Sequence, residues 1–217
     1  MKIETKCLHE GYKPENGGPG VMPIVQSTTY RFDSTAKIAS LPMECIYSRF
    51  ANPTCDAVEK KIASLEGGVG AMLTSSGQAA SLLSILNLCS AGDSFIAAST
   101  IYGGTINLFG VTLKKLGIEC IWADAEASEE KVQKLLKPNT KAVFGETLAN
   151  PALTVFDIEK WANIAHKNNV PLIVDNTFAT PVLCRPIEWG ADIVIHSTTK
   201  YMDGHASALG GAIVDSG

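Results

Sequence analysis

The sequence predicts an α/β domain built on a mostly parallel sheet. Three observations carry that expectation. Short apolar runs of strand length recur from residue 70 onward, and helical patterns lie between most of them. The segment after each run is rich in glycine, hydroxyl and amide side chains, as the carboxyl rim of such a sheet is when it holds a ligand.

Residues 1 to about 50 show no sustained period, and "PENGGPG" at 14–20 reads as a flexible turn in an extended N-terminal arm. The domain proper is expected over 51–217. Asn52 and Pro53 suit the cap and first position of a helix that places Val58, Ile62 and Leu65 on one face and stops at Gly67 and Gly68. Strands follow at "GAMLT" (70–74), "SFIAA" (94–98), "IECIWA" (118–123), "KAVFGE" (141–146), "PLIVD" (171–175) and "ADIVI" (191–195), and "ALGGAIVDS" (208–216) adds one more. Helices are expected at 78–90, 105–116, 128–136 and 157–168, the last two capped by Ser128 and Asp157.

Composition excludes several function classes. A formal net charge of −4 without a basic stripe argues against nucleic-acid partners and anionic membrane surfaces. No apolar run approaches a membrane span, and "MKIETKCLHE" lacks the apolar region of a signal peptide, so a cytoplasmic protein is expected. The six cysteines (7, 45, 55, 89, 120, 184) form no CxxC pair and read as reduced thiols used as small core residues; no metal site is expected.

The rim holds the chemistry. "TSSGQAAS" follows a strand and opens a helix, so backbone N–H groups near Gly77 either receive an anion or merely turn and cap. Asp175 ends "PLIVD" as a metal ligand, a cap or a charge partner. Lys200 stands just past another strand in "VIHSTTKYMDGH", among hydroxyls. A lysine able to form an imine, an acid for a pyridinium nitrogen and an anion-binding helix terminus together suit pyridoxal phosphate (PLP).

In motif order, "YSRFANPT" (47–54), "SSGQAA" (75–80), "YGGT" (102–105), "ETLANP" (146–151), "VDNTF" (174–178) and "HSTTKY" (196–201) make the sequence resemble one family. It is the cysteine/methionine-metabolism family of fold-type-I PLP enzymes, which includes cystathionine synthases and lyases, methionine γ-lyases and O-acetylhomoserine sulfhydrylases. The resemblance implies an aspartate aminotransferase-like large domain. It also implies that this chain holds that domain, incomplete at its C-terminal end, without the small domain whose arginine grips the substrate carboxylate.

The resemblance further implies residue roles. Lys200 would hold the cofactor as an imine and carry protons between substrate carbons. Asp175, ionised, would keep the pyridine nitrogen protonated. Backbone N–H groups of Gly77 and Gln78, with the hydroxyls of Ser197 and Thr199, would cradle the phosphate. Tyr102 would stack on the ring and, as a catalytic residue, assist proton transfer and leaving-group departure, and Asn150 would bond the cofactor's 3-oxygen. Tyr47 and Arg49 would reach a neighbouring subunit's phosphate in a homo-oligomer, a dimer of dimers. His196 and His205 are expected to be structural.

Gly104 stands where methionine γ-lyases typically carry a cysteine, and both chain ends look more like O-acetylhomoserine sulfhydrylases. The expected reaction in methionine biosynthesis is therefore γ-replacement on O-acetyl-L-homoserine by sulfide or methanethiol. The alternatives are a cystathionine γ-synthase, a γ-lyase, or a catalytically incompetent PLP-binding or structural subunit.

Overall fold

The computed structural model describes residues 1–40 and 46–217, so Pro42 and Cys45 lie outside the described residues. The first fifty residues are not uniformly extended. Their described residues carry two short helices, α1 (Ile3–His9) and α2 (Thr35–Ala39), joined by irregular backbone. Lys6 and Lys61 tie α1 down by bonding backbone carbonyls across the junction with the next helix.

That helix, α3 (Pro53–Glu66), starts where Asn52 accepts a hydrogen bond from the Thr54 amide and ends at Gly67, whose φ of 83° a side chain would resist. Its buried stripe runs through Ala57, Ile62, Ala63 and Glu66. Val58, expected on that stripe, is 40% exposed instead. The charged Glu66 is drawn inward by two buried polar partners described below, an attraction that apolar periodicity does not encode.

Seven strands form one sheet: β1 (Gly70–Thr74), β2 (Ser94–Ala98), β3 (Glu119–Ala123), β4 (Thr140–Glu146), β5 (Leu172–Asp175), β6 (Ile193–His196) and β7 (Gly211–Asp215), in the order β1-β7-β6-β5-β4-β2-β3. β7 runs antiparallel to both neighbours, while β6, β5, β4, β2 and β3 pair in parallel. All seven coincide with expected strands to within a few residues.

Between strands lie α4 (Gly77–Leu88), α5 (Gly103–Asn107), α6 (Leu113–Lys115), α7 (Glu129–Gln133) and α8 (Ile158–Lys167), and α9 (Thr180–Leu183) follows β5. The helix expected over 105–116 is interrupted by a π turn at Leu108–Thr112. Every i,i+4 step on an α-helix drifts roughly 40° around the axis. The wider turn removes that drift and keeps Thr105, Phe109 and Leu113 together in the core, each no more than 2% exposed. Phe109 meets Phe95 and Phe144 edge-on at centroid distances of 4.9 and 4.8 Å, an arrangement that suits the ring quadrupoles.

Among the described cysteines, all five thiols are free. Only Cys89 is fully buried, where burial pushes its thiol up to about 11; Cys7 and Cys55 are exposed, contrary to the core expectation. α1, which carries Cys7, buries none of its residues, and the buried stripe of α3 runs through Ala57, Ile62, Ala63 and Glu66 without Cys55. No helix of the described residues is long and apolar enough to cross a membrane.

Candidate active site

The topology fixes where a ligand can sit. The connection from β2 leads outward to β3, while that from β4 leads the other way to β5, although β2 and β4 are neighbours. A crevice therefore opens beyond their carboxyl ends. A cavity of about 810 Å³ occupies this rim, and Gly77, Gln78, Tyr102, Asn150, Asp175, Ser197, Thr199 and Lys200 all line it. Eight residues named from sequence thus converge, and each comes from the carboxyl end of a strand or the segment after it.

The cavity does not include Tyr47 or Arg49. Tyr47 bridges Thr29 in an isolated β-contact, and the Arg49 guanidinium lies over its ring at 5.2 Å and over the Phe50 ring at 5.7 Å. A separate cavity of about 550 Å³, bordered by Val182, Leu183 and Trp189, contains none of the expected site residues.

At the head of α4, Ser76 caps the helix by accepting from the Ala79 amide at 3.1 Å. The N–H groups of Gly77 and Gln78 precede the first intrahelical bond and so stay available. Gly77 lies hard against Ser197: a Cβ built on it would fall 2.5 Å from the Ser197 Cβ. The Gln78 side chain instead holds Thr105 on α5 at 2.9 Å.

Asp175 closes β5 inside the cavity. Its Oδ1 accepts from the Thr177 amide at 3.0 Å and from the Thr177 hydroxyl at 2.5 Å, and Thr177 in turn accepts from the Ser197 amide at 2.8 Å. The acid is thereby wired to the segment that carries Lys200. Burial raises the Asp175 carboxyl above its ordinary range, while Thr177 and the charge of His196 pull it back. Its ionisation therefore rests on those neighbours, not on the reference value that the sequence alone supplied.

Lys200 is exposed at the mouth of the cavity, held by its backbone to Ser197 and Gly204. The Thr199 hydroxyl departs from expectation. It donates to the Gly210 carbonyl at 3.1 Å and accepts from the Gly210 amide at 3.0 Å, so its proton is already engaged by the start of the β7 approach.

Sequence reasoning passed over two groups. Glu146 ends β4 directly in register with Asp175, lines the cavity, and accepts a hydrogen bond from the Tyr102 amide at 2.7 Å. Burial and the neighbouring Asp175 push its carboxyl up to about 8. The signal that exposed Asp175, an acid ending an apolar run, was present there too. The second is a buried cluster on the opposite face of the sheet. His196 Nε2 meets Glu66 Oε1 at 2.5 Å, and Asn176 donates to the same oxygen at 2.8 Å and to the Cys184 carbonyl at 2.8 Å. His196 is thus a structural residue that joins β6 to α3. His205 is exposed and bonds the Asp203 carbonyl in its own loop.

Comparison with known proteins gives this geometry a family. Residues 4–217 match the family described as Cys/Met metabolism PLP-dependent enzyme. The O-acetyl-L-homoserine sulfhydrylase of Corynebacterium glutamicum is 47% identical over 99% of this chain and 50% of its own length. That of Leptospira meyeri is 42% identical over the whole chain and 50% of its own length. The chain spans about half the length of these curated relatives.

Among solved structures, a Campylobacter jejuni protein named as an O-acetylhomoserine (thiol)-lyase contains N′-pyridoxyl-lysine-5′-monophosphate. It superposes with a TM-score of 0.95 at 38% identity, over 100% of this chain and 55% of that one. A cystathionine γ-lyase from Lactobacillus plantarum, complexed with L-serine, gives a TM-score of 0.91 at 35% identity, again over 100% of this chain and 55% of that one. The sheet rim with its lysine, acid and helix terminus thus sits in a chain that belongs to the Cys/Met metabolism PLP-dependent enzyme family.

Proposed function

We propose that this chain supplies the PLP site of an enzyme that replaces the γ-substituent of O-acetyl-L-homoserine with sulfide or methanethiol, giving homocysteine or methionine. One observation carries the reading: Lys200, Asp175 and the open head of α4 face a single cavity. The relatives named as sulfhydrylases at 42% and 47% identity support this choice of substrate.

The residues fit the cofactor. A phosphate needs several hydrogen-bond donors, and Gly77 N–H, Gln78 N–H and the Ser197 hydroxyl are grouped where a side chain on residue 77 would leave no room. A pyridinium nitrogen needs an acceptor, which Asp175 offers through the carboxyl oxygen not held by Thr177. When bound, PLP supplies a carbonyl carbon for imine formation and a ring that withdraws electrons from the substrate's α-carbon.

The chain's own residues then divide the work. Lys200 Nζ would anchor the cofactor and would move protons between substrate carbons. Asp175 holds a proton on the ring nitrogen. Tyr102 and Asn150, which line the same cavity, would hold the ring, the tyrosine by stacking and the asparagine by a bond to its 3-oxygen. Thr199 joins the phosphate cradle only if its hydroxyl turns away from Gly210.

Residues 1–50 act in this reading as an arm and 51–217 as the cofactor domain. Tyr47 and Arg49, which lie off the cavity, serve a second subunit of a dimer of dimers in the cytoplasm. The arm's exposed apolar side chains, Leu8, Val21 and Ile24, support a role at an interface.

Two measurements test the proposal. Borohydride reduction in the presence of PLP should place a pyridoxyl group on Lys200 alone by peptide mass spectrometry; scattered adducts would overturn the site. Incubation of the holoprotein with O-acetyl-L-homoserine and sulfide should release acetate and homocysteine. Turnover of cystathionine without turnover of O-acetylhomoserine would move the activity to the lyase branch of the family.

A further inference from the structure

Glu146 is a buried acid in the cavity that the proposed chemistry does not use. It stands at the crevice between β2 and β4, and its bond to the Tyr102 amide crosses that crevice. Tyr102 has little else to hold it. It begins α5 without a side-chain cap bond, and its carbonyl accepts from the amides of Thr105 and Ile106 on that short helix. The Glu146 carboxyl is thus the tie between the tyrosine's backbone and the sheet.

Glu146 and Asp175 occupy facing register positions on adjacent parallel strands, so both carboxyls project to the same side. Among the described residues neither forms a salt bridge. Two carboxylates this close, walled by protein, cannot both ionise cheaply. The donors decide which keeps the charge: Asp175 Oδ1 receives two from Thr177, whereas Glu146 receives the single Tyr102 amide. The other titratable groups lining this cavity are Tyr102 before α5 and Lys200 and Tyr201 after β6; His196 lies on the far face of the sheet.

We propose that Glu146 is a positioning residue: as a neutral carboxylic acid it fixes the Tyr102 backbone over the cavity and leaves the negative charge to Asp175. The proposal rests on the cofactor reading for its consequence, because a bound PLP ring would need a fixed Tyr102 over one face and a charged Asp175 at its nitrogen. The elevated titration of Glu146, near 8, agrees with the geometry.

The test begins on the cofactor-free chain, so that it does not depend on PLP. The Tyr102 amide resonance, followed across about pH 6 to 10, should shift with a midpoint near 8. That inflection should vanish in Glu146→Gln and move to lower pH in Asp175→Asn, which removes the neighbouring charge. An amide that stays flat in the wild type, or an inflection that survives in Glu146→Gln, would overturn the proposal.

PLP affinity, measured by absorbance titration, supplies the second readout. Glu146→Ala should weaken it by about tenfold or more, and Glu146→Gln should recover most of the loss, since an amide carbonyl also accepts from Tyr102 without charge. Glu146→Gln as weak as Glu146→Ala would mean the ionised carboxylate is needed, and the proposal would fall. Absence of PLP binding in the wild type would instead sink the cofactor reading, leaving the amide titration to decide the role of Glu146.

Discussion

Gly104 shapes the site through what it lacks. A Cβ built there would lie 2.5 Å from the Tyr102 Cε1, so the tyrosine ring rests on bare backbone. Gly104→Ala should therefore displace the ring while leaving the short helix intact, because alanine is the better helix former. The expected outcome is weaker PLP binding with an unchanged circular dichroism spectrum; equal affinity would show that the ring position does not matter.

At Glu146, the consequence for stability has a definite direction. Its carboxyl gives up its proton near 4.5 in the unfolded chain and only near 8 in the fold, so folding loses ground as pH rises between those values and no further above them. Glu146→Gln abolishes that loss. Thermal melts should find the variant more stable relative to wild type near pH 9 than near pH 5. A difference that does not change with pH would mean Glu146 titrates normally.

At the scale of elements, the π turn contributes chiefly to packing and the cap of α4 chiefly to the proposed phosphate position. Phe109 fills the space between Phe95 and Phe144, and Phe109→Ala should cost about 3–5 kcal/mol of stability in a denaturant titration. Ser76→Ala should cost only about 1 kcal/mol, yet weaken PLP binding by loosening the helix end at the proposed phosphate position.

The central strands β2, β4, β5 and β6 were legible in the sequence because a buried parallel strand is a short apolar run with a polar end. That polar end also made Asp175 and Lys200 visible as site residues. The π turn was not legible, since one turn is too short for its period to be distinguished from that of an α-helix. Nor were α1, α2 and α9, which have four to seven residues and no fully buried apolar stripe to betray them. Thr199's engagement with Gly210 and Glu146's contact with Tyr102 depend on distant segments meeting, which no local pattern records.

On the scale of the molecule, the sheet gathers groups from segments some 120 residues apart in the chain, from Gly77 to Lys200, around one opening. Parallel order makes this possible, since successive strands deliver their carboxyl ends to the same edge. The antiparallel β7 performs a different task. It enters between β1 and β6, and the approach to it binds the Thr199 hydroxyl at Gly210. A chain ending at Gly210 should therefore lose β1 from the sheet as well as β7, and should elute as aggregate in size-exclusion chromatography. A monodisperse product with native circular dichroism would refute that dependence.

The same strand order has a consequence for how the protein is made. Of these seven strands β1 is the first to leave the ribosome, and its sheet neighbour, β7, follows all the others. Throughout the intervening synthesis the nascent chain carries an orphan strand and, once β6 emerges, a second open edge awaiting the same partner. Both are templates for pairing with another nascent chain. Emergence of Gly211–Asp215 thus ends the period of exposure, and a pause after β6 has emerged but before β7 has is where premature association between nascent chains should be greatest.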